Sequence, residues 1–265
     1  MLRRLIWALI ALVLATAGSP AIAAPVHTAP LRPAFTPRFQ DDTPAEDQFE
    51  AFSMPGLTPD NLTDMVLKDI DSFWAGEFAN EGFDYYAAGI IPVTDVTHSS
   101  CGDFGPYDNP AAYCPIDDTV YVSIPLGKDI RTNVGDFAWI AVLAHEWGHH
   151  IQVLMHIDPP LTIERELQAD CFSGAYALRA KQQGFLQEGD VTEAVAISVL
   201  SADPVDMGEA VPGAHGSSDY RVTAFMQGYF GGVPSCLNTT FAPDVAAPDT
   251  TAQDTTAQET AAPSG

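Results

Sequence analysis

Positive charge is scarce in this chain. Eleven Lys and Arg stand against 35 Asp and Glu, a formal net charge of −24 over 265 residues. Nucleic-acid binding needs clustered Lys and Arg to displace counterions from phosphate, and the few here are scattered, so nucleic acid is excluded as a partner. Anionic membrane surfaces repel such a chain for the same reason. Long apolar runs are missing beyond the N-terminus, where Leu5 to Ala17 is cut short by Gly18 and Pro20, below the about 20 residues of a membrane span. Cysteine is limited to Cys101, Cys114, Cys171 and Cys236, with no CxxC pair, which argues against a cysteine zinc site. What the chain does have is apolar material, 46% of its residues, enough to exclude bulk disorder away from the ends.

The ends read as segments outside the folded part. Residues 1–23 carry Arg3 and Arg4, an apolar stretch and Ala21-Ile22-Ala23, the pattern of a cleaved secretory signal. If the segment is not cleaved it would serve as a membrane anchor instead; if it is, no stable membrane insertion is expected. Its removal would leave nine basic residues against 35 acidic ones, −26. Residues 24–54 are rich in proline and acids and read as a linker, and residues 238–265, with DTTAQ repeated from Asp249 and Asp254, read as a disordered acidic tail. Sequons at Asn61 and Asn238 matter only in a glycosylating host. Export to a secreted, periplasmic or cell-surface location makes four cysteines into two disulfides, with three connectivities possible. Cys101 and Cys114 enclose a short Gly/Pro-rich loop and form the local pair. Cys171 and Cys236 would then tie a helix to the far end of the fold.

Residues 55–237 remain as one domain. Thr58-Pro59-Asp60 predicts a helix start, continued by Leu62, Val66, Ile70, Phe73 and Trp74. Residues 87–97 and 119–124 are expected as strands, with the first two cysteines in a loop between them. Helices are expected over residues 134–155, 162–183, 191–200 and 218–229, the last stopped by Gly231-Gly232. The order predicts an α+β fold, mostly helical.

The chemistry concentrates in Ala144-His145-Glu146-Trp147-Gly148-His149-His150. Spacing of four residues puts His145 and His149 on one helix face, where both imidazoles can reach one metal ion, with Glu146 beside it as general base. Glu146-x-x-His149 is also half of a carboxylate-bridged di-iron motif, but that site needs a second ExxH, and none occurs. On the next helix, Glu166 and Asp170 share a face. Glu166 is the candidate third ligand, preferred over Glu164, and Asp170 can accept the free N–H of a ligating histidine. His27, His98, His150 and His156 have no such placement.

HEWGHHIQ from His145, followed by ELQADCFSG from Glu166, resembles the bacterial putative neutral zinc metallopeptidases and, more distantly, the gluzincin peptidases. Cys101-Gly102, Tyr113-Cys114-Pro115 before Val120-Tyr121, and His215-Gly216-Ser217-Ser218 with Arg221-Val222 agree with that resemblance, which spans about residues 58–236. Trp147 stands where the family usually has a smaller apolar residue, and is expected to narrow one wall of the cleft. The resemblance implies a gluzincin-like zincin core with a short β-sheet before the active-site helix, and a strand edge, here residues 119–124, that receives extended substrate. It also implies one Zn2+ per chain on His145, His149 and Glu166, and hydrolysis of peptide bonds in a peptide or protein substrate by zinc-activated water with Glu146 as base. His215 is the candidate second donor to the developing oxyanion, Tyr220 the reserve. Arg221 either neutralises Asp170 or Asp219 or meets a substrate carbonyl. Two other readings share the ligands: an idle zinc-bound scaffold, and a zinc hydrolase acting on a non-peptide amide.

Overall fold

In a computed structural model of the chain, residues 52–159, 162–204, 214–238 and 241 are described. The expected signal segment, nearly all of the linker and nearly all of the tail lie outside these residues.

The first helix, α1 (Leu62–Glu81), starts later than the sequence suggests. Thr58 to Asn61 fold into a turn of their own, in which Asn61 Oδ1 accepts from Thr58 N–H at 2.7 Å. Its buried Phe73 and Trp74 pack on Tyr176 and Phe172 of α4 (Thr162–Gln182). Asp69 joins the same two helices by accepting from Tyr176 Oη and Arg179 Nη1 at 2.9 and 2.7 Å.

After α1 come β1 (Gly89–Val93), a hairpin of β2 (Thr97–Ser99) and β3 (Gly102–Phe104), then β4 (Ala111–Cys114) and β5 (Thr119–Ser123). The main sheet has the order β1-β5-β4, with β1 parallel and β4 antiparallel to β5. Three expectations change here. The stretch 87–97 is shorter than expected as a strand, and β4 lies in what read as a loop. The strand expected to receive substrate, β5, is central and buried throughout, so it has no free edge. The edge strands are β1 and β4.

At Ser123 the chain turns directly into α2 (Ile124–Asn133), which the sequence reading missed. Ser123 Oγ caps it by accepting from Leu126 N–H at 3.1 Å, and Pro125 occupies its first turn. Then comes α3 (Asp136–Leu154), whose buried residues lie on nearly every side, so the core wraps around it. α5 (Asp190–Leu200) and α6 (Ser218–Leu237) complete the domain. Gly231-Gly232 does not end α6. It kinks it, with Gly232 at φ 64°, and the helix resumes across Pro234.

Close backbone contact joins α6 to α4. A Cβ on Gly174 would lie 1.9 Å from Phe225 O, and one on Gly228 1.8 Å from Cys171 O. Both disulfides form as expected, Cys171–Cys236 across α4 and α6, and Cys101–Cys114 at the end of β4. Phe52 is buried against Phe137, so packing reaches into the stretch read as linker. Among the described residues no helix is long and apolar enough to cross a membrane.

Candidate metal centre and active site

His145 and His149 lie one turn apart on α3, and Glu166 faces them from the first turns of α4. Ligand atoms of the three lie within 4.8 Å of one another, the one such cluster among the described residues. Glu166 Oε2 is 3.3 Å from His145 Nε2, and Oε1 is 3.5 Å from His149 Nε2. The other ring nitrogens are already engaged. His145 Nδ1 donates to Asp170 Oδ1 at 2.8 Å, and His149 Nδ1 to Gln152 Oε1 at 2.9 Å. With Nδ1 engaged, each histidine turns Nε2 toward the centre, where it pairs with Glu166 when protonated and can offer its lone pair to an ion when deprotonated. Two imidazoles, one carboxylate and a polar atom behind each imidazole fit zinc with an open position.

The close approach has a local cause. Gly148, between the two histidines, faces Ala169, and a Cβ there would come 3.1 Å from Ala169 Cα. A side chain here would push Ala169 away by a few tenths of an ångström.

Charge supports the same arrangement. Burial would raise the Glu166 carboxyl, but the two imidazoles outweigh it and hold it well below the usual range. Burial works the same way on Asp170, and Arg221 with His145 reverses it. Arg221 makes a two-pronged ion pair, Nε and Nη2 each 2.9 Å from Asp170, while Nη1 donates to Ser201 O at 2.7 Å. Three of its five N–H donors are thus committed within the protein. Of the two roles weighed for Arg221, the structure supplies the neutralising contact with Asp170.

Glu146 sits beside the cluster, and its Oε2 accepts from Tyr113 N–H at 2.9 Å. In an antiparallel pair, alternate residues direct their main-chain groups away from the partner strand. Tyr113 N–H points to α3, so the outer edge of β4 faces the site. A cavity of about 430 Å³ opens over the ligands, lined on one side by Ala111 to Tyr113 and on the other by Val142, Ile197 and Phe225. His215 is also on its wall. Tyr220 is not among its lining residues and packs with Ile163, Leu167 and Ala224. Trp147 does not narrow the cleft. It is buried, and its Nε1 donates to Tyr85 Oη at 3.1 Å.

Sequence reasoning missed Asp203 and gave no role to Gln152 or Tyr113, although both stand in stretches that carry the resemblance. Asp203 Oδ2 accepts from the N–H groups of His215 and Gly216 at 2.6 and 2.7 Å, and so holds His215 at the cavity. Gln152 Nε2 donates to Arg165 O and Gln168 Oε1, which ties the His149 support to α4. Gln152, four residues before a turn in the chain and three after His149, carried a readable helical spacing. Asp203 carried none, and Tyr113 only its place in the resemblance.

A family model described as "Putative neutral zinc metallopeptidase" matches residues 40–241. Among curated proteins, the chain is similar to the uncharacterized protein YpfJ of Escherichia coli (strain K12), 32% identical over 206 residues, or 67% of this chain and 70% of that one. It is also similar to the uncharacterized protein Rv2575 of Mycobacterium tuberculosis (strain H37Rv), 29% identical over 181 residues, or 56% and 60% of the two chains. No solved structure matches it significantly.

Proposed function

Because the chain belongs to the putative neutral zinc metallopeptidase family, we propose that it is an exported zinc-dependent peptidase, metal-held by His145, His149 and Glu166, with a gluzincin-like arrangement of helices. One observation carries this reading: two Nε2 atoms and a carboxylate converge within 4.8 Å, with a further glutamate, Glu146, beside them. Zinc bound there supplies Lewis-acid polarisation of the scissile carbonyl and acidifies water.

The chain's own residues do the rest. Glu146 takes a proton from the attacking water on the oxygen that Tyr113 does not hold, and passes it to the leaving amine nitrogen. Asp170 and Gln152 keep the two imidazoles in the ligating tautomer. The outer edge of β4 pairs with an extended peptide, which favours peptide backbone over other amides. His215, held by Asp203, donates to the carbonyl oxygen as negative charge develops there. Two disulfides and an N-terminal signal pattern support export.

The test measures metal content and cleavage of a mixed peptide library by the processed protein. Zinc near one per chain, with cleavage abolished in Glu146→Gln but zinc retained, is the expected result. Zinc without cleavage would favour an idle scaffold. Unchanged metal content in His145→Ala would overturn the ligand set.

A further inference from the structure

His150 is fully enclosed, 0% exposed, and ligates nothing in the cluster. Its Nδ1 lies 2.7 Å from Asp118 Oδ1 and its Nε2 2.9 Å from the main-chain oxygen of Tyr86. The rings of Tyr85, Tyr86, Tyr113 and Trp147 stand edge-on around it, with centroids 5.8 to 6.2 Å away. Asp118 Oδ1 also accepts from Tyr113 Oη at 2.7 Å. Asp118 occupies the turn between β4 and β5 at φ 49°, a left-handed conformation that aspartate tolerates better than most residues.

Glu146 and His150 are four residues apart and share one face of α3, next to the face that carries His145 and His149. Both reach the same strand residue. Glu146 takes the main-chain N–H of Tyr113, and His150 reaches the Tyr113 hydroxyl through Asp118. A buried polar network of this kind carries a desolvation penalty that an apolar side chain in the same cage would avoid. What an apolar side chain would not do is fix the register of β4 on α3.

We propose that His150 and Asp118 are positioning residues that lock β4 onto the active-site helix, so that Tyr113 N–H holds Glu146 with its second oxygen facing the cavity. The role of Glu146 as base rests on the peptidase reading; the lock itself does not. The test uses the zinc-loaded full chain with Tyr113→Phe, Asp118→Ala, their combination, and Asp118→Asn, which keeps an acceptor at the shared position. It reads kcat, KM, zinc content and amide exchange over residues 111–114.

Tyr113→Phe and Asp118→Ala are expected to lower kcat by about tenfold or more, with KM little changed and zinc retained. Both should speed exchange over 111–114. The combined variant should be no worse than Asp118→Ala, because both remove one link. Asp118→Asn should recover most of the loss. Normal kcat with normal exchange, or a loss that Asp118→Asn fails to rescue, overturns the proposal. If the wild type cleaves nothing, or Glu146→Gln cleaves equally well, the peptidase reading fails instead. Exchange then decides the lock alone: fast in Tyr113→Phe and Asp118→Ala and slow in Asp118→Asn supports it, and unchanged exchange overturns it.

Discussion

Asp190 is buried at the start of α5, beside Glu193 and Asp136. Burial pushes its carboxyl from 3.8 up to about 6, the neighbouring carboxylates add to this, and the Gln187 N–H that it accepts works against it. An acid raised in the folded state stabilises the fold fully below its unfolded value and loses that contribution as pH rises through the folded one. Asp190→Asn keeps an acceptor for Gln187, so it is expected to raise Tm at about pH 8 and to give no advantage at about pH 4. Thermal melts at both values check this, and an equal gain at both would contradict it. Glu193 has a clear use: its Oε2 accepts from Phe137 N–H at 2.8 Å and caps α3, whose N-cap residue Gly135 has no side chain to do so. No sequence pattern reveals such a cap, since donor and acceptor stand 56 residues apart. His145, Glu146 and His149 were legible for the opposite reason: their geometry follows from spacing along a single helix. His150 read as having no place among the ligands, and it lies outside the cluster; its link to Asp118 crosses 32 residues and was hidden.

α3 and α4 were readable because each carries apolar residues at helical spacing over about five turns. β4 was hidden because four residues between a proline-rich loop and a turn show no alternation. α2 was hidden although Ser123 and Pro125 mark its start, because few of its side chains are buried. With β4 unseen, the substrate edge was placed on β5. The depth of the α3–α4 contact depends on Gly148 and Ala169, and Glu166 precedes Ala169 on the same helix. In Gly148→Ala the helices must part by a few tenths of an ångström, which moves Glu166 away from both imidazoles. Zinc affinity is expected to fall about tenfold with helical content unchanged. Competition with a chromogenic chelator measures it, and wild-type affinity would mean that the contact does not set the ligand distances.

The molecule as a whole is held by links between distant parts of the chain. Cys171–Cys236 closes 65 residues and pins α6 to α4, where Gly174 and Gly228 already bring the backbones together. On loop-closure entropy, its loss costs about 4 kcal/mol. Denaturant unfolding of the Cys171→Ser, Cys236→Ser protein should show a loss of that order, and a loss below about 1 kcal/mol would mean the glycine contact suffices on its own. The pairing was legible from four cysteines and one short loop. The reach of the core out to Phe52 was not, because a single phenylalanine among prolines and acids has no period to belong to. The candidate metal ligands contrast with these long links. All three fall between residues 145 and 166, on two consecutive helices, whereas Arg221 arrives from far along the chain. Bringing the ligands together therefore closes only a short loop, which is entropically cheap and fast. A zinc ion held there would then act as a template during folding, gathering the α3–α4 hairpin before α6 docks. Refolding from denaturant, followed by stopped-flow fluorescence, is expected to be faster with zinc than with chelator, and equal rates would place hairpin assembly after the rate-limiting step.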